Sequence, residues 1–175
     1  MDDQILIELA NFLRQRIIEN YIAQGHRLTG EFESTLKVAL KSEYVVKIIE
    51  GIGEHYAIFL DKGVTKSNIP FTGTGGGGRS SYIEGLKRFA EIKFNLSGKE
   101  ALSAAFAIAH TQKKEGMPTI GSYKHSKTGL RTRFLTDALT GATHHIEKEI
   151  ERWGGQRIGI LIDNMIRNYQ KQLKI

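Results

Sequence analysis

A chain of 175 residues, 40% apolar and 25% charged, has the length and balance of one globular domain that buries its own core. It holds no cysteine, which excludes disulfides and thiol catalysis and fits a reducing compartment; no apolar run approaches the roughly eighteen residues of a membrane span. The formal net charge of +6 favours acidic partners such as nucleic acid, and the opening MDDQILIELANFLRQR lacks the basic leader and small-residue cleavage site of a signal peptide.

Residues 2–21 predict an amphipathic helix. Ile5, Leu6, Leu9, Phe12, Leu13 and Ile17 recur at helical spacing, and Asp2 and Asp3 sit at the positive end of the helix dipole. In STLKVALKSEYVVKIIEG the period changes to two. Leu36, Val38 and Leu40 alternate, KSE interrupts, and Tyr44, Val46 and Ile48 alternate again, which predicts a β-hairpin over about 35–50. EHYAIFLDKG is short and apolar and reads as either a strand or a helical turn. Residues 64–81 carry no period and are broken by Pro70, glycines and serines, so they predict a long loop.

SYIEGLKRFAEIKF predicts a helix, and SGKEALSAAFAIAHTQKKEG a stronger one. Ser97 is placed to cap it with Glu100 three residues on, and Gly116 and Pro118 end it. Ala101, Ala104, Ala105, Ile108 and Ala109 give it a smooth face for close packing. Two closing helices are expected at 134–152 and 156–173, separated at WGGQ. The second carries Ile158, Leu161, Ile162, Met165, Ile166 and Tyr169. The expected fold is α+β, a single domain over 1–175. A small antiparallel sheet is covered by an N-terminal helix and several C-terminal helices, with a glycine-rich loop at 64–81.

Candidate chemistry is sparse. Gly73–Ser80, GTGGGGRS, is one residue from the phosphate-binding pattern G-x-x-x-x-G-K-[ST]. Arg79 stands where lysine is required, and its planar fork does not substitute for an ammonium in a tight cradle. Pro70 spoils the strand that should precede the loop, and the acidic Asp163 of ILID falls inside a helical pattern. His145 and Glu149 lie four apart, a spacing that can share a metal, but nothing supplies further ligands, so a solvated helix face is expected. No G-x-S-x-G elbow is present. The expectation is no catalytic residue, no metal and no cofactor: a protein that is not an enzyme.

The segment SYKHSKTGLRTR, 122–133, holds Lys124, Lys127, Arg131 and Arg133 without an acidic residue, and Lys113 and Lys114 lie just upstream. This basic strip is open to three readings: contact with a partner or channel lumen, contact with DNA phosphates, or plain solvation.

Three pieces of the chain, in this order, resemble the neck proteins of tailed bacteriophages, the head–tail connector or tail-completion family. YAIFLDKGVT, from Tyr56 to Thr65, is similar to that family's Tyr-Ala, acidic, Gly-Thr signature after a hairpin. AFAIAHTQKKEGMPT, from Ala105 to Thr119, is similar to its apolar helix ending in glycine before a proline turn. TRFLTDAL, from Thr132 to Leu139, is similar to its Phe-Leu step into the closing helix. With the first helix, the resemblance spans most of the chain, and order and spacing carry it. Val64 between Gly63 and Thr65, and the glycine-rich loop, depart from the family pattern.

The resemblance implies a structural virion protein, a ring of identical subunits in the neck between portal and tail. DNA passes through it without sequence-specific binding, no membrane is involved, and assembly occurs in the bacterial host cytoplasm. It implies that a face of the first or closing helix is covered only in the ring. It also implies a role for the long loop at the subunit interface. Pro70 and Phe71 anchor one end and Tyr82 and Ile83 the other, Phe71 entering a neighbour's apolar groove. Gly75, Gly76, Gly77, Gly78 and Arg79 order on that neighbour. Two other readings remain: a tail-side terminator or completion protein, and a DNA-binding module using 113–133.

Overall fold

The computed structural model describes residues 3–43, 46–73 and 80–172. Helix α1, Gln4–Ala23, is the central element. Its apolar stripe buries Ile5, Leu6, Leu9, Ala10, Leu13, Ile17, Ile18 and Tyr21, which is the face that helical spacing predicts. A short helix α2, Glu31–Thr35, leads into strands β1, Lys37–Glu43, and β2, Val46–Ile52, which pair antiparallel.

The hairpin's reversal lies later than expected. KSE belongs to β1, and the chain turns between Glu43 and Val46, which are paired residues; Tyr44 lies outside the described residues. The resulting register turns Ile49, rather than Ile48, toward α1, where Val38 and Ile49 pack against Leu9 and Leu13. Val46, Ile48 and Ile52 are left on the outer face, exposed.

EHYAIFLDKG resolves as helix α3, Tyr56–Lys62, stopped by Gly63 in the left-handed region at φ 74°. Helices α4, Ser81–Phe94, and α5, Gly98–Glu115, pack against each other. Ala90, Ala101, Ala105 and Ala109 are fully buried, so the small-residue face does bring a helix close. The expected capping box is not formed. Ser97 makes no side-chain cap, and the amides of Glu100 and Ala101 bond to the Ser97 carbonyl instead, because Gly98 enters the helix at φ 51°.

The closing helices break elsewhere than at WGGQ. Helix α6, Phe134–Thr140, is followed by a single helix α7, Thr143–Gln172, and the interruption is at Gly141 and Ala142. Ala142 is buried against Leu9 and Leu13 of α1. Gly154 and Gly155 continue as helix although each glycine costs about 1 kcal/mol relative to alanine there. Side-chain contacts span the weak point. The Arg157 guanidinium stacks 4.7 Å over the Trp153 ring and meets Asp3 at 3.5 Å, while Asp3 also holds Lys47 of β2.

α7 runs antiparallel to α1. The rings of Phe12 and His145 meet tilted, with centres 4.2 Å apart, Glu8 meets Arg152 at 3.7 Å, and Asp3 meets Arg157. Beyond Arg157 the helix continues past the start of α1, and Ile158, Leu161, Ile162 and Met165 are exposed.

The architecture is therefore α+β, with a two-stranded antiparallel sheet beside the N-terminal helix and helices following it. Buried side chains gather along α1 and in a second cluster beneath the α4–α5 pair. Among the described residues no helix is long and apolar enough to cross a membrane.

Candidate functional site

The three family-like segments, distant in sequence, meet at one junction. Asp61 of α3 is the hinge of it, 7% exposed and polar in an otherwise apolar run. Its Oδ1 accepts hydrogen bonds from the backbone N–H groups of Leu135 at 2.7 Å and Thr136 at 3.3 Å, and its Oδ2 accepts from the Thr136 hydroxyl at 2.9 Å. The Asp61 carbonyl takes the N–H of Arg133 at 2.7 Å. A residue of the first segment thus caps the helix opened by the third, filling amides that α6 cannot bond internally.

The second segment is stitched in by backbone. Val64 N–H donates to the Met117 carbonyl at 2.7 Å, and Met117 N–H returns the bond to Val64 at 2.8 Å. Glycine is needed on both sides of this pair. A Cβ at Gly63, φ 74°, would lie 2.8 Å from the Met117 carbonyl oxygen; one at Gly116, φ 90°, would lie 2.7 Å from that of Val64. Sequence reasoning counted Asp61 only as the acidic position of the first segment and gave it no role in the fold. Its signal was a lone carboxylate following the apolar run YAIFL.

The loop residues fall differently from expectation. Phe71, expected to reach a neighbour, is 9% exposed and packs in its own subunit with Ile69, Ile83, Ala105 and Ala109. Its ring meets His110 edge-on at 4.8 Å. A phenylalanine beside a vacant alanine-lined groove buries more apolar surface by folding down than by waiting for a partner. Pro70 is exposed, whereas Gly75, Gly76, Gly77, Gly78 and Arg79 lie outside the described residues.

The basic strip is not one free face. Arg131 is half-buried and donates from Nη1 to the Gln24 carbonyl at 2.6 Å; burial brings its pKa below the ordinary arginine value. Lys113 donates to the Ile69 carbonyl at 3.1 Å, and Arg133 pairs with Asp137 at 3.2 Å. Lys114, Lys124 and Lys127 are exposed. The strip's backbone is pinned to the end of α1: Lys127 N–H donates to Ala23 at 2.8 Å, and the His125 carbonyl sits directly against Gly25. Of the expected phosphate-facing cations, Arg131 alone is drawn inward; Lys113 and Arg133 remain exposed beside their partners.

His145 and Glu149 do not converge, since the imidazole lies tilted against the Phe12 ring and the carboxylate meets Arg152 at 3.1 Å. Among the described residues no three potential metal-ligating side chains gather. One surface concavity runs along a single face of α4, lined by Glu84, Gly85, Lys87, Arg88 and Glu91. These groups follow one helix and do not converge from several elements on a point.

Next to the junction lies an aromatic group of Tyr21, His26, Phe32 and Phe134. Burial, with the Arg131 charge beside it, lowers the His26 pKa from 6.5 to about 4. The unfolded chain takes this proton near pH 6.5 while the folded chain waits until about 4, so stability falls as pH drops through that window. Partial exposure of the ring reduces the full linkage to about 1–2 kcal/mol. Urea unfolding at pH 7, 5.5 and 4.5 is expected to show this loss in the wild-type chain and a shallower one in His26→Phe. Equal slopes in the two proteins would show that the ring takes its proton equally well in the folded state.

No family model, curated protein or solved structure matches this chain.

Proposed function

We propose that the chain is a structural subunit of the neck of a tailed bacteriophage, forming with its own copies a ring between portal and tail through which DNA passes. The observation that carries this reading is the junction. The segments Tyr56–Thr65, Ala105–Thr119 and Thr132–Leu139, which bear the resemblance, are joined through Asp61 and the Val64–Met117 pair. Three segments that meet at one packed node serve one structural purpose, and that is what supports the reading. The protein is not an enzyme in this reading, and its work is done by surfaces.

The DNA-binding alternative loses Arg131, which is half-buried on the Gln24 carbonyl. A module built on all the cations of 113–133 would lose duplex affinity steeply with salt. A ring subunit should bind free duplex weakly and with a shallow salt dependence.

The test is particle imaging and native mass measurement of the full chain across a concentration series, alone and with a portal protein. A closed ring, formed alone or on the portal, is the expected result. Attachment to tails but not to portal would move the protein to the tail-side terminator role. A monomer at every concentration that ignores both would overturn the reading.

A further inference from the structure

The Val64–Met117 pair joins cations that the sequence keeps far apart. It sets Lys62, at the end of α3, and Lys66, in the turn that follows, beside Lys113 and Lys114 in the last turn of α5. The approach is close. A Cβ at Gly116 would lie 3.4 Å from the backbone nitrogen of Lys66, and the Lys113 Nζ donates to the Ile69 carbonyl at 3.1 Å. All four lysines are exposed.

Their charge is not matched locally. Among the described residues none of the four is in an ion pair, whereas Lys47, Lys87, Arg152 and Arg157 each meet a carboxylate. The carboxylates nearest in the chain are engaged elsewhere: Asp61 caps α6, and Glu115 accepts the Ile120 N–H at 2.8 Å. The carbonyl ends of α3 and α5 offset only about half a charge each. Residues 56–133 hold thirteen Lys and Arg against five Asp and Glu, so the rest of this +6 chain is acidic on balance.

The residue types favour phosphate over a protein surface. Protein interfaces are depleted in lysine and centre on aromatic side chains, methionine and arginine. Here the lysines are interleaved with exposed Thr65, Ser67 and Asn68, donors of the kind that bond phosphate oxygens, and 62–68 contains no acid. Lys62 to Lys66 extends at most roughly 14 Å, a length over which a duplex presents about eight phosphates.

We infer that this lysine group around the Val64–Met117 pair holds the phosphate backbone of duplex DNA, without base preference, through Lys62, Lys66, Lys113 and Lys114. The inference deepens the ring reading above by naming the face turned toward the passing DNA. Four phosphate contacts give a slope of log affinity against log salt no steeper than about −3.6, against about −5.4 for the six cations of 113–133. Each subunit thus holds DNA weakly, and the DNA can slide.

The test is fluorescence anisotropy of a mixed-sequence duplex with the full-length chain, from low to physiological salt. Lys62→Gln, Lys66→Gln and Lys114→Gln are combined, and Lys113 is kept because it bonds Ile69. This triple variant should flatten the slope by about 2.7 and weaken low-salt affinity at least tenfold. Arginine at the same three positions should preserve both. Lys37→Gln, Lys93→Gln and Lys148→Gln, combined, remove the same charge elsewhere and should keep the wild-type slope. Equal losses in the two glutamine triples would show bulk charge acting and overturn the inference, as would a wild-type chain that does not bind duplex. Intact duplex affinity in the first triple with portal attachment lost would give these lysines to an acidic protein and overturn it too. Native mass measurement in parallel separates the two readings. A ring that binds duplex equally with and without the lysines overturns this surface and leaves the ring; lysine-dependent binding by a chain that never assembles upholds the surface and removes the ring.

Discussion

Asp61→Ala is expected to destabilise the folded chain by about 3 kcal/mol, since it strips a buried cap and leaves two backbone amides and a hydroxyl without their acceptor. The amides belong to Leu135 and Thr136, in the first turn of α6; Leu135 is half-buried against the cluster around Phe134, and Thr136 is exposed. Asp61→Asn keeps one acceptor oxygen and should lose less, about 1–2 kcal/mol. Urea unfolding measures both, and a shift in midpoint with an unchanged slope would place the effect in the native state. A loss below about 0.5 kcal/mol for the alanine variant, the range of ordinary surface changes, would mean that the junction does not depend on this carboxylate. The same variant bears on assembly. If the junction positions α6 and, through Gly141 and Ala142, the departure of α7, then weakened assembly should accompany the lost stability.

Phe134→Ala carries the largest expected penalty, about 3–5 kcal/mol, from lost burial and the cavity left behind. The ring is fully buried, edge-on to Phe32 at 5.6 Å and to Tyr21 at 5.3 Å, and its backbone carbonyl accepts from the Asn20 amide at 3.3 Å. The gap would lie between α1, α2 and α6, in the cluster where their buried side chains meet. Phe134→Leu should lose much less, about 1–2 kcal/mol, because most of the volume is retained. Phe106, 40% exposed on α5, serves as the contrast, and its alanine variant should stay within about 1 kcal/mol of wild type. Thermal and urea unfolding of the three variants decide the matter. Comparable losses at 106 and 134 would contradict the burial that separates them.

Phe134 and Phe106 look alike in the sequence, and so did many features whose fates diverged. What the chain determined by itself was its local periodicity. The stripe Ile5–Leu6–Leu9–Leu13–Ile17 made α1, the run SYIEGLKRFAEIKF made α4, and the alternation around Val38 and Ile48 made a hairpin. Period and composition act over a few residues, so these elements were legible before any partner was known. Tertiary structure decided the rest, because a terminus, a register or a side chain's destination is a comparison between competing neighbours. The helix break moved from WGGQ to Gly141 because Ala142 had a place against Leu9 and Leu13, while Arg157, Trp153 and Asp3 held the glycines in helix. Phe71 folded into its own core because alanines on α5 left room for it, and Arg131 turned inward because the end of α1 offered the Gln24 carbonyl. Asp61 became a cap only when α6 arrived 74 residues later in the chain with amides to fill. No pattern of nearby residues encodes such a meeting, since its free energy comes from groups that the sequence places far apart and only the packed core brings together.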